Sequence, residues 1–293
     1  MKAPRIVVVG SINMDMVTTV PRFPAPGETL LGNAFSTTAG GKGSNQAVAA
    51  AKAGGDVSFI GAIGDDGFGT QLRTMLAEAG VDTELLRTVN GSTGVAAITV
   101  SANAENNIVV VAGANDTVSE LTEADLAAIS RADVLLCQLE IPLTTVTAAV
   151  RHAHANGTIV VLNPSPVQDV PSGLIDSVDI LVVNQSEAGQ LSSITDRVPY
   201  LVTTLGAAGA DLRGPDGTVH SDSPLVTPVD TTGAGDAFTG AFAVEWIRHR
   251  GRALRYACAA GGLATTIHGA AASSPTRAAV ENLLEGPLDS DTG

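Results

Sequence analysis

Short runs of valine, isoleucine and leucine recur along the chain and are separated by segments with helical periodicity. The runs are RIVVVG, VSFIGAIG, VLLCQLE, TIVVLNPS, DILVVNQS and YLVTTLG, and the segments between them include SNQAVAAAKAG, FGTQLRTMLAEAG and LTTVTAAVRHAHANG. Apolar strands that alternate with amphipathic helices are typical of a parallel sheet covered on both faces. The pattern predicts one α/β domain over residues 1–293, with a central, mostly parallel sheet flanked by helices on both faces.

Two regions depart from this alternation. Residues 13–38 and 91–112 are predicted to be extended, because they combine polar alternation with glycine and proline turns. Strands in these positions would form a small separate sheet, and lids that close over a site often have this form. The alternative is an extension of the main sheet with no role in catalysis. The last residues, GPLDSDTG, are predicted to be a solvated tail.

Composition excludes several classes of function. The net charge of −14 argues against a nucleic-acid partner, because phosphate backbones repel such a field. No window approaches the roughly 20 apolar residues of a membrane span, and the N-terminal apolar segment is too short for a signal peptide. Cys137 and Cys258 lie far apart in apolar stretches, which favours buried free thiols and a reducing cytoplasm.

The stretch DTTGAGDAFTG, residues 230–240, places glycines and an acid before an apolar run. A helix that begins near Gly233 would leave the N–H groups of residues 233–236 unpaired and pointing outward. Glycines let an anion approach these donors, and the helix dipole favours negative charge there. Asp236 beside this cradle has two possible roles, since it could cap the helix or accept a proton from an attacking hydroxyl.

The stretch GGKGSNQAVAAA, residues 40–51, superficially resembles a phosphate-binding P-loop. The P-loop pattern fails, because it requires glycine where Ser36 stands and serine or threonine where Gly43 stands. A dinucleotide fingerprint is also unsupported. A glycine turn into a helix remains, with Lys42 and Asn45 near its start, and these side chains suit a ligand rich in hydroxyl groups.

Polar residues also stand where predicted strands end. Asn13 and Asp15 follow RIVVVG, Glu140 ends VLLCQLE, and Asn184 ends DILVVN. In parallel sheets, ligands bind beyond the carboxyl ends of the strands, so these side chains are candidates for one site. Any single one of them could instead be a capping residue.

Together these motifs resemble those of the ribokinase-type carbohydrate kinases. GSINMD, FPAPGETLLG, GGKGSNQAVAAAKAG, GDDGFG, GAN, QLEIP, LNPSP, NQSE, TLGAAG and DTTGAGDAF stand in that family's order and span nearly the whole chain. The resemblance implies an α/β domain with a β-sheet lid and ATP-dependent phosphorylation of ribose at its 5-hydroxyl. It also implies a requirement for Mg²⁺ and activation by K⁺.

The resemblance further implies roles for individual residues. The implied sugar contacts are Asn13, Asp15, Gly41, Lys42, Asn45, Glu140 and Asp236. Asp236 is the implied catalytic base, and the amides of Gly233, Ala234 and Gly235 are the implied anion hole. The implied ATP and magnesium contacts are Asn184, Glu187, Thr204, Gly206, Gly209 and Gly235. The implied potassium site comprises Asp230 and Thr232, the carbonyls of Ala264, Ile267 and Gly269, and Ser273, an oxygen-only set that suits a hard cation.

The sequence leaves several alternative functions open. A nucleoside kinase would need an aromatic or apolar slot, and the lid segments carry only Phe23 and Phe35. A sugar-phosphate kinase would want further basic residues, and Arg22 is the only arginine between residues 13 and 38. A fructose kinase is also open, whereas a non-catalytic sugar-binding protein would be expected to have lost Asp236 or the glycines. The strand edges of the lid favour pairing with a second copy of the chain.

One departure from the family pattern lies between NQSEAGQL and YLVTTLG. Only residues 192–199 stand where the family usually carries another helix. A parallel crossover needs a dozen or more residues, which a short helix near residues 187–191 plus this loop just reaches. We expect the fold to persist, with the covering of the sheet behind the ATP site in question.

Overall fold

The computed structural model describes residues 2–103 and 105–286, and apart from Gly286 the predicted tail lies outside the described residues. The strands of the described chain are β1 (Arg5–Val9), β2 (Asn13–Val20), β3 (Ala34–Gly40), β4 (Asp56–Gly64), β5 (Val81–Asp82), β6 (Leu86–Val89), β7 (Gly94–Ser101), β8 (Asn106–Val111), β9 (Val134–Cys137), β10 (Ile159–Leu162), β11 (Ile180–Asn184), β12 (Tyr200–Thr204), β13 (Ala210–Gly214) and β14 (Gly217–Ser221).

Helices connect most of the strands of the large sheet. They are α1 (Lys42–Lys52), α2 (Gly67–Glu78), α3 (Glu123–Arg131), α4 (Leu143–Ala155), α5 (Ser172–Ile175), α6 (Gln185–Gln190), α7 (Ser192–Thr195), α8 (Ala234–His249), α9 (Ala253–Ala264) and α10 (Arg277–Glu285). In the described part of the chain, no helix is both long enough and apolar enough to cross a membrane.

The strands form two separate sheets. The large sheet has the order β14-β13-β12-β11-β10-β9-β1-β4-β5, and β6 also pairs with β4. From β12 to β5 every pairing is parallel, whereas β13 and β14 extend the sheet as an antiparallel edge. The small sheet has the order β3-β2-β7-β8. The predicted fold class, a mostly parallel sheet with a small separate sheet, is confirmed.

The large sheet is buried on both faces, as its apolar strands predict. In β1, Ile6 and Val8 belong to one core cluster, whereas Val7 and Val9 belong to the other. Successive side chains of a strand point to opposite faces, so a run without polar residues needs cover on both sides. Helices α1, α2, α8, α9 and α10 contribute to the first cluster, and α3, α4 and α5 to the second.

The short segment between β11 and β12 still completes a parallel crossover. Two helical turns, α6 and α7, replace the single short helix that the sequence predicts. Leu191, Ile194 and Val198 are buried in the second core cluster, together with residues of β11. Three apolar side chains at helical spacing therefore cover the sheet that the missing helix would have covered.

Helices α1 and α8 pack closely because Gly240 has no side chain. A Cβ atom at Gly240 would lie 2.5 Å from the carbonyl oxygen of Gln46 and 2.7 Å from Cβ of Ala49. Near the other end of the contact, a guanidinium nitrogen of Arg248 in α8 donates to the carbonyl oxygen of Gly54, just beyond α1, at 2.8 Å. The relative position of the two helices is thus fixed near both ends.

Two helical glycines test this packing in opposite directions. Gly240→Ala places a methyl group against the backbone of α1, so we expect the free energy of unfolding to fall by about 1–3 kcal/mol despite the better helix propensity. Gly189→Ala in α6 is the matched control, because nothing lies within 4 Å of its added Cβ, and a gain of about 0.5–1 kcal/mol is expected. Urea unfolding of both variants checks this, and a neutral or stabilising Gly240→Ala would contradict it.

Candidate active site

The predicted site residues gather where the parallel strands end. Asn184 and Thr204 are the last residues of neighbouring strands β11 and β12, and Glu140 follows β9. Asn13 begins β2, four residues after the end of β1. The N-termini of α1 and α8 approach the same edge of the sheet, since Asn45 of α1 contacts Asp236 of α8.

Glu140 holds the start of α1 against the end of β1. Its Oε2 atom accepts hydrogen bonds from the main-chain N–H of Lys42 at 2.9 Å and from the hydroxyl of Ser11 at 2.5 Å. Gly41 precedes the helix with φ of 90°, and a Cβ there would lie 2.8 Å from the main-chain nitrogen of Asn13. Glycine is therefore required at position 41 for both its conformation and its close contact.

Asn13 is a buried amide with a fixed orientation. Asn115, which follows the small sheet, donates from Nδ2 to Oδ1 of Asn13 at 2.8 Å. Oδ1 of Asn115 accepts from the main-chain N–H of Ile12 at 2.9 Å, which fixes the direction of the pair. The amide nitrogen of Asn13 is consequently the group left to donate to a ligand.

Asp15 stands two residues after Asn13 in β2 and therefore on the same face of the strand. Burial is the main reason that the pKa of its carboxyl rises to about 6, and the negative charges of Glu140 and Asp236 add to the effect. A Cβ at Gly40 would lie 2.2 Å from the Asp15 carboxylate, so glycine leaves the space that this side chain occupies. Three carboxylates near one another form a site that accepts hydrogen bonds from hydroxyl groups.

Asp236 lies in the first turn of α8 and is held by two side chains of α1. Its Oδ2 accepts from Nδ2 of Asn45 and its Oδ1 from Nε2 of Gln46, both at 2.9 Å. Burial raises the pKa of Asp236, while the charge of Lys42 and the two amide donors act in the opposite direction. The carboxylate is directed towards α1, and both of these donors are side chains of that helix.

The N-terminus of α8 begins at the predicted position, but one prediction about it is wrong. Gly233 has φ of 75° and precedes the helix. This left-handed residue closes a turn in which the N–H of Ala234 donates to the carbonyl of Thr231 at 3.3 Å, so that N–H is not unpaired. The N–H groups of Gly233, Gly235 and Asp236 have no main-chain acceptor within the described residues.

Two adjoining clefts open beside this helix end. The first has an open volume of about 500 Å³, and its lining includes Lys42, Asn184, Glu187 and Asp236. The second has an open volume of about 1030 Å³ and is lined mainly by apolar groups and glycines. The residues that line it include Gly206, Ala207, Gly209, Pro224, Leu225, Val226 and Phe238. Thr204 and Gly235 line both clefts, so the two clefts are neighbouring parts of one surface.

Asn184 and Glu187 form a reciprocal cap at the start of α6. The Glu187 N–H donates to Oδ1 of Asn184, and the Asn184 N–H donates to Oε2 of Glu187, both at 2.9 Å. This capping box holds both side chains at the rim of the first cleft. Within the ranges 2–103 and 105–286, no group of three or more His, Cys, Asp or Glu side chains is arranged to hold a metal ion by itself.

The predicted potassium ligands come from two loops that Asp230 joins. Its Oδ1 accepts from the N–H of Thr232 and its Oδ2 from the N–H of Gly269, both at 2.9 Å. Burial acts to raise the pKa of Asp230, but these donors outweigh it and the pKa is lowered. Ser273 is buried and donates to the carbonyl of Ala270, so its hydroxyl is already engaged within the loop.

The remaining predicted carbonyls lie along the second loop. Ala264 ends α9, and among the described residues its carbonyl accepts only a long, 3.4 Å hydrogen bond from the N–H of Ile267. The Ile267 side chain is exposed, and Gly269 has φ of 95°. A Cβ at Gly233 would lie 2.7 Å from Cα of Ala270, so this loop packs directly against the start of α8.

The sequence assigned no role to five polar residues that the structure places in the site. They are Ser11, Gln46, Asn115, Gln138 and Asn163. Each stands inside a motif that carries the family resemblance, namely GSINMD, GGKGSNQA, GAN, QLEIP and LNPSP. Polar residues at the ends of otherwise apolar runs were the signal that could have identified them.

Comparisons with known proteins agree with this geometry. Residues 3–277 match the pfkB family of carbohydrate kinases. A ribokinase of Haemophilus influenzae is 38% identical over 300 residues, which cover 96% of this chain and 98% of the relative. A ribokinase of Bacillus subtilis is 38% identical over 289 residues, which cover 95% and 99%.

Solved structures give the same result at the level of the fold. The structure of Arabidopsis thaliana ribokinase complexed with ribose and ATP superposes with a TM-score of 0.91 at 32% identity, covering 98% of this chain and 100% of that one. The family match over residues 3–277 contains every strand of both sheets and every motif that carries the sequence resemblance. The chain belongs to the pfkB family of carbohydrate kinases.

Proposed function

We propose that this protein transfers the terminal phosphoryl group of ATP to the 5-hydroxyl of D-ribose, giving ribose 5-phosphate and ADP. The observation that carries the proposal is the position of Asp236, a carboxylate held by two amide donors beside main-chain N–H groups at a helix N-terminus. Two ribokinases with nearly full-length similarity support the choice of ribose.

The sugar would bind among Asn13, Asp15, Asn45 and Glu140, with Gly41 and Lys42 at the same helix start. Oδ1 of Asn45 is buried and has no hydrogen-bond partner among the described residues. A buried acceptor of this kind is normally satisfied, so a sugar hydroxyl is the natural donor. A site that pairs with several hydroxyl groups rejects analogues that lack one of them.

The nucleotide would span the two clefts. Its base fits the apolar cleft beside Gly206 and Gly209, and its phosphates lie towards Asn184, Glu187 and Thr204. The residues present also fit Mg²⁺, because this ion is commonly held by one or two carboxylates together with nucleotide phosphates. Glu187 is the carboxylate that would hold it, and when bound the ion would neutralise charge on the phosphates.

In the transfer step, Asp236 accepts the proton of the sugar hydroxyl as its oxygen attacks the phosphorus. The N–H groups of Gly233, Gly235 and Asp236, together with Lys42, stabilise the charge that develops on the transferred group. The bond from phosphorus to the bridging oxygen of ADP breaks as the new bond forms. Closure of the small sheet over the sugar would exclude water and suppress hydrolysis of ATP.

We also propose that K⁺ binds the loops joined by Asp230. The candidate ligands are oxygen atoms, and they lie on a loop that contacts Gly233 directly. An ion there would stiffen the turn that presents the main-chain donors. The two buried free thiols, Cys137 and Cys258, suit a reducing compartment, and we place the reaction in the cytoplasm.

A homodimer through the small sheet is the proposed assembly. Strand β8 is an edge strand of that sheet, and all six of its residues are exposed. Four of them are large and apolar: Ile108, Val109, Val110 and Val111. An exposed apolar edge strand readily pairs with another strand, and a second copy would cover it.

Replacing Asp236 by asparagine tests the proposed base. The variant keeps the shape of the side chain but not its basicity, so we expect kcat for ADP release with ribose to fall about 10²- to 10⁴-fold. Asp216→Asn, in the exposed turn between β13 and β14, is the control and should be fully active. The assay covers ribose, deoxyribose, fructose, adenosine and sugar phosphates, with and without K⁺. Near-normal turnover by Asp236→Asn, or turnover selective for adenosine, would refute the proposal.

Asp15→Asn should weaken the binding of ribose and increase the free energy of unfolding. A carboxyl whose folded pKa is raised destabilises the protein above that pKa, so at pH 7.5 the variant should be more stable by about 1–2 kcal/mol. The gain should fade as the pH falls from 6 to 4, because the folded wild type is then protonated. KM for ribose should rise at the same time. Urea denaturation across this pH range checks the first effect. A gain in the free energy of unfolding that does not depend on pH would show that the pKa of Asp15 is not raised.

The proposed dimer can be tested by charge on the β8 edge. Light scattering should report a dimer for the wild type and a monomer for Val109→Lys, because lysine on an edge strand opposes pairing. Val219→Lys is the matched control, since Val219 is an equally exposed valine on edge strand β14 of the large sheet. A monomeric wild type, or dissociation by the control as well, would exclude this interface.

A further inference from the structure

Gln46 is a fully buried amide in the second turn of α1, directly behind the proposed base. Its side chain makes three hydrogen bonds. Nε2 donates to Oδ1 of Asp236 at 2.9 Å and to Oδ1 of Asn163 at 3.1 Å, and Oε1 accepts from Nε2 of Gln138 at 2.6 Å. Because Gln46 has no exposed surface, it is not placed to touch a sugar or a nucleotide.

The orientation of the Gln46 amide is fixed from the side of Asn163. Gln138 donates to the carbonyl of the Gln46 amide, and the Oε1 atom of Gln138 has no hydrogen-bond partner among the described residues. Asn163 donates from Nδ2 to the carbonyl of Val182 at 2.9 Å, which leaves its Oδ1 turned to Gln46. Both N–H groups of Gln46 therefore point away from Gln138, and one of them must meet Asp236.

We propose that Gln46 is a positioning residue for the phosphoryl transfer, held by Asn163 and Gln138 so that one amide N–H keeps Asp236 ionised and aimed at the attacking hydroxyl. The inference rests on the proposed function, in which Asp236 is the base. It adds a chain of hydrogen bonds from Gln138, the residue after β9, through Gln46 to Asp236. A hydrogen bond from a neutral donor to a carboxylate stabilises the charged form, which is the form that accepts the proton.

The surroundings of Asp236 explain why such a donor is needed. Burial and Glu140 raise the pKa of Asp236, and the charge of Asp236 in turn helps to raise the pKa of nearby Asp15. Lys42, at the start of α1, is the cation that opposes them, and Glu187 lines the same cleft. Asn45 and Gln46 supply one N–H to each carboxylate oxygen, so removal of either leaves an oxygen without a donor from α1.

The principal test is the pH dependence of Gln46→Met, which keeps the length of the side chain and removes the donor. With ribose and ATP, we expect the acid limb of kcat/KM to move up by about one to two pH units. We expect kcat at pH 7 to fall about 10-fold, while KM for ribose changes less than about threefold. A purely structural role would lower stability and leave the pH profile unmoved, and this result would overturn the inference.

Two further variants separate positioning from stability. Thr158→Val removes a buried hydrogen bond to the carbonyl of Ile129, far from the site, and should leave the profile unchanged. Gln138→Met removes one of the two side chains that hold the Gln46 amide and does not contact Asp236, so a smaller shift in the same direction is expected. If Gln46→Met fails to fold, Gln138→Met decides, and an unmoved profile in that variant counts against the inference.

A titration without substrate keeps this test independent of the proposed function. Aspartate labelled with ¹³C at the carboxyl carbon reports the pKa of Asp236 by NMR, with Asp236→Asn used to assign its signal. We expect the pKa in Gln46→Met to exceed that in the wild type by about one to two units. An inactive wild type with this shift would refute ribose phosphorylation but keep the role of Gln46. If the wild type is active but Gln46→Met shows no such shift, ribose phosphorylation is supported and the role of Gln46 is refuted.

Discussion

Two hydrogen bonds from α1 to Asp236 join the helices on which the site depends. Asn45 and Gln46 of α1 contact a residue that stands about 190 positions later in the chain. They reach it because Gly240 lets α8 lie directly against α1. The start of α1 is in turn held by Glu140, which follows β9. The start of α1, the proposed base and the main-chain donors of α8 are therefore held together by direct contacts.

The electrostatics of the site oppose those of the whole chain. The net charge of the chain is −14, yet the proposed active site must bind a nucleoside triphosphate, which is itself an anion. The positive potential is made locally, by Lys42 and by N–H groups at the left-handed turn of Gly233. Asp15, Glu140 and Asp236 lie close by as hydrogen-bond acceptors. In the proposed function, the hydroxyl contacts and the anion contacts therefore meet at Asp236.

The sequence was sufficient for the fold and for the local start of each site element. Apolar runs such as RIVVV determine a sheet buried on both faces, and the glycine turn before α8 begins where DTTGAGD predicts it. The partners of Asp236 were not predictable, because they come from another helix and depend on how closely α1 and α8 pack. The prediction that the N–H of Ala234 is unpaired was wrong for a related reason, since its hydrogen bond to the carbonyl of Thr231 depends on the conformation of Gly233.

A crystal structure with ribose, ADP and a planar phosphoryl analogue tests the arrangement around Asp236 most directly. We expect the 5-hydroxyl oxygen within hydrogen-bond distance of the Asp236 carboxylate, at about 2.6–3.2 Å. The analogue should accept hydrogen bonds from the N–H groups of Gly235 and Asp236. An analogue bound away from the start of α8, or a ribose whose 5-hydroxyl faces away from Asp236, would contradict the account.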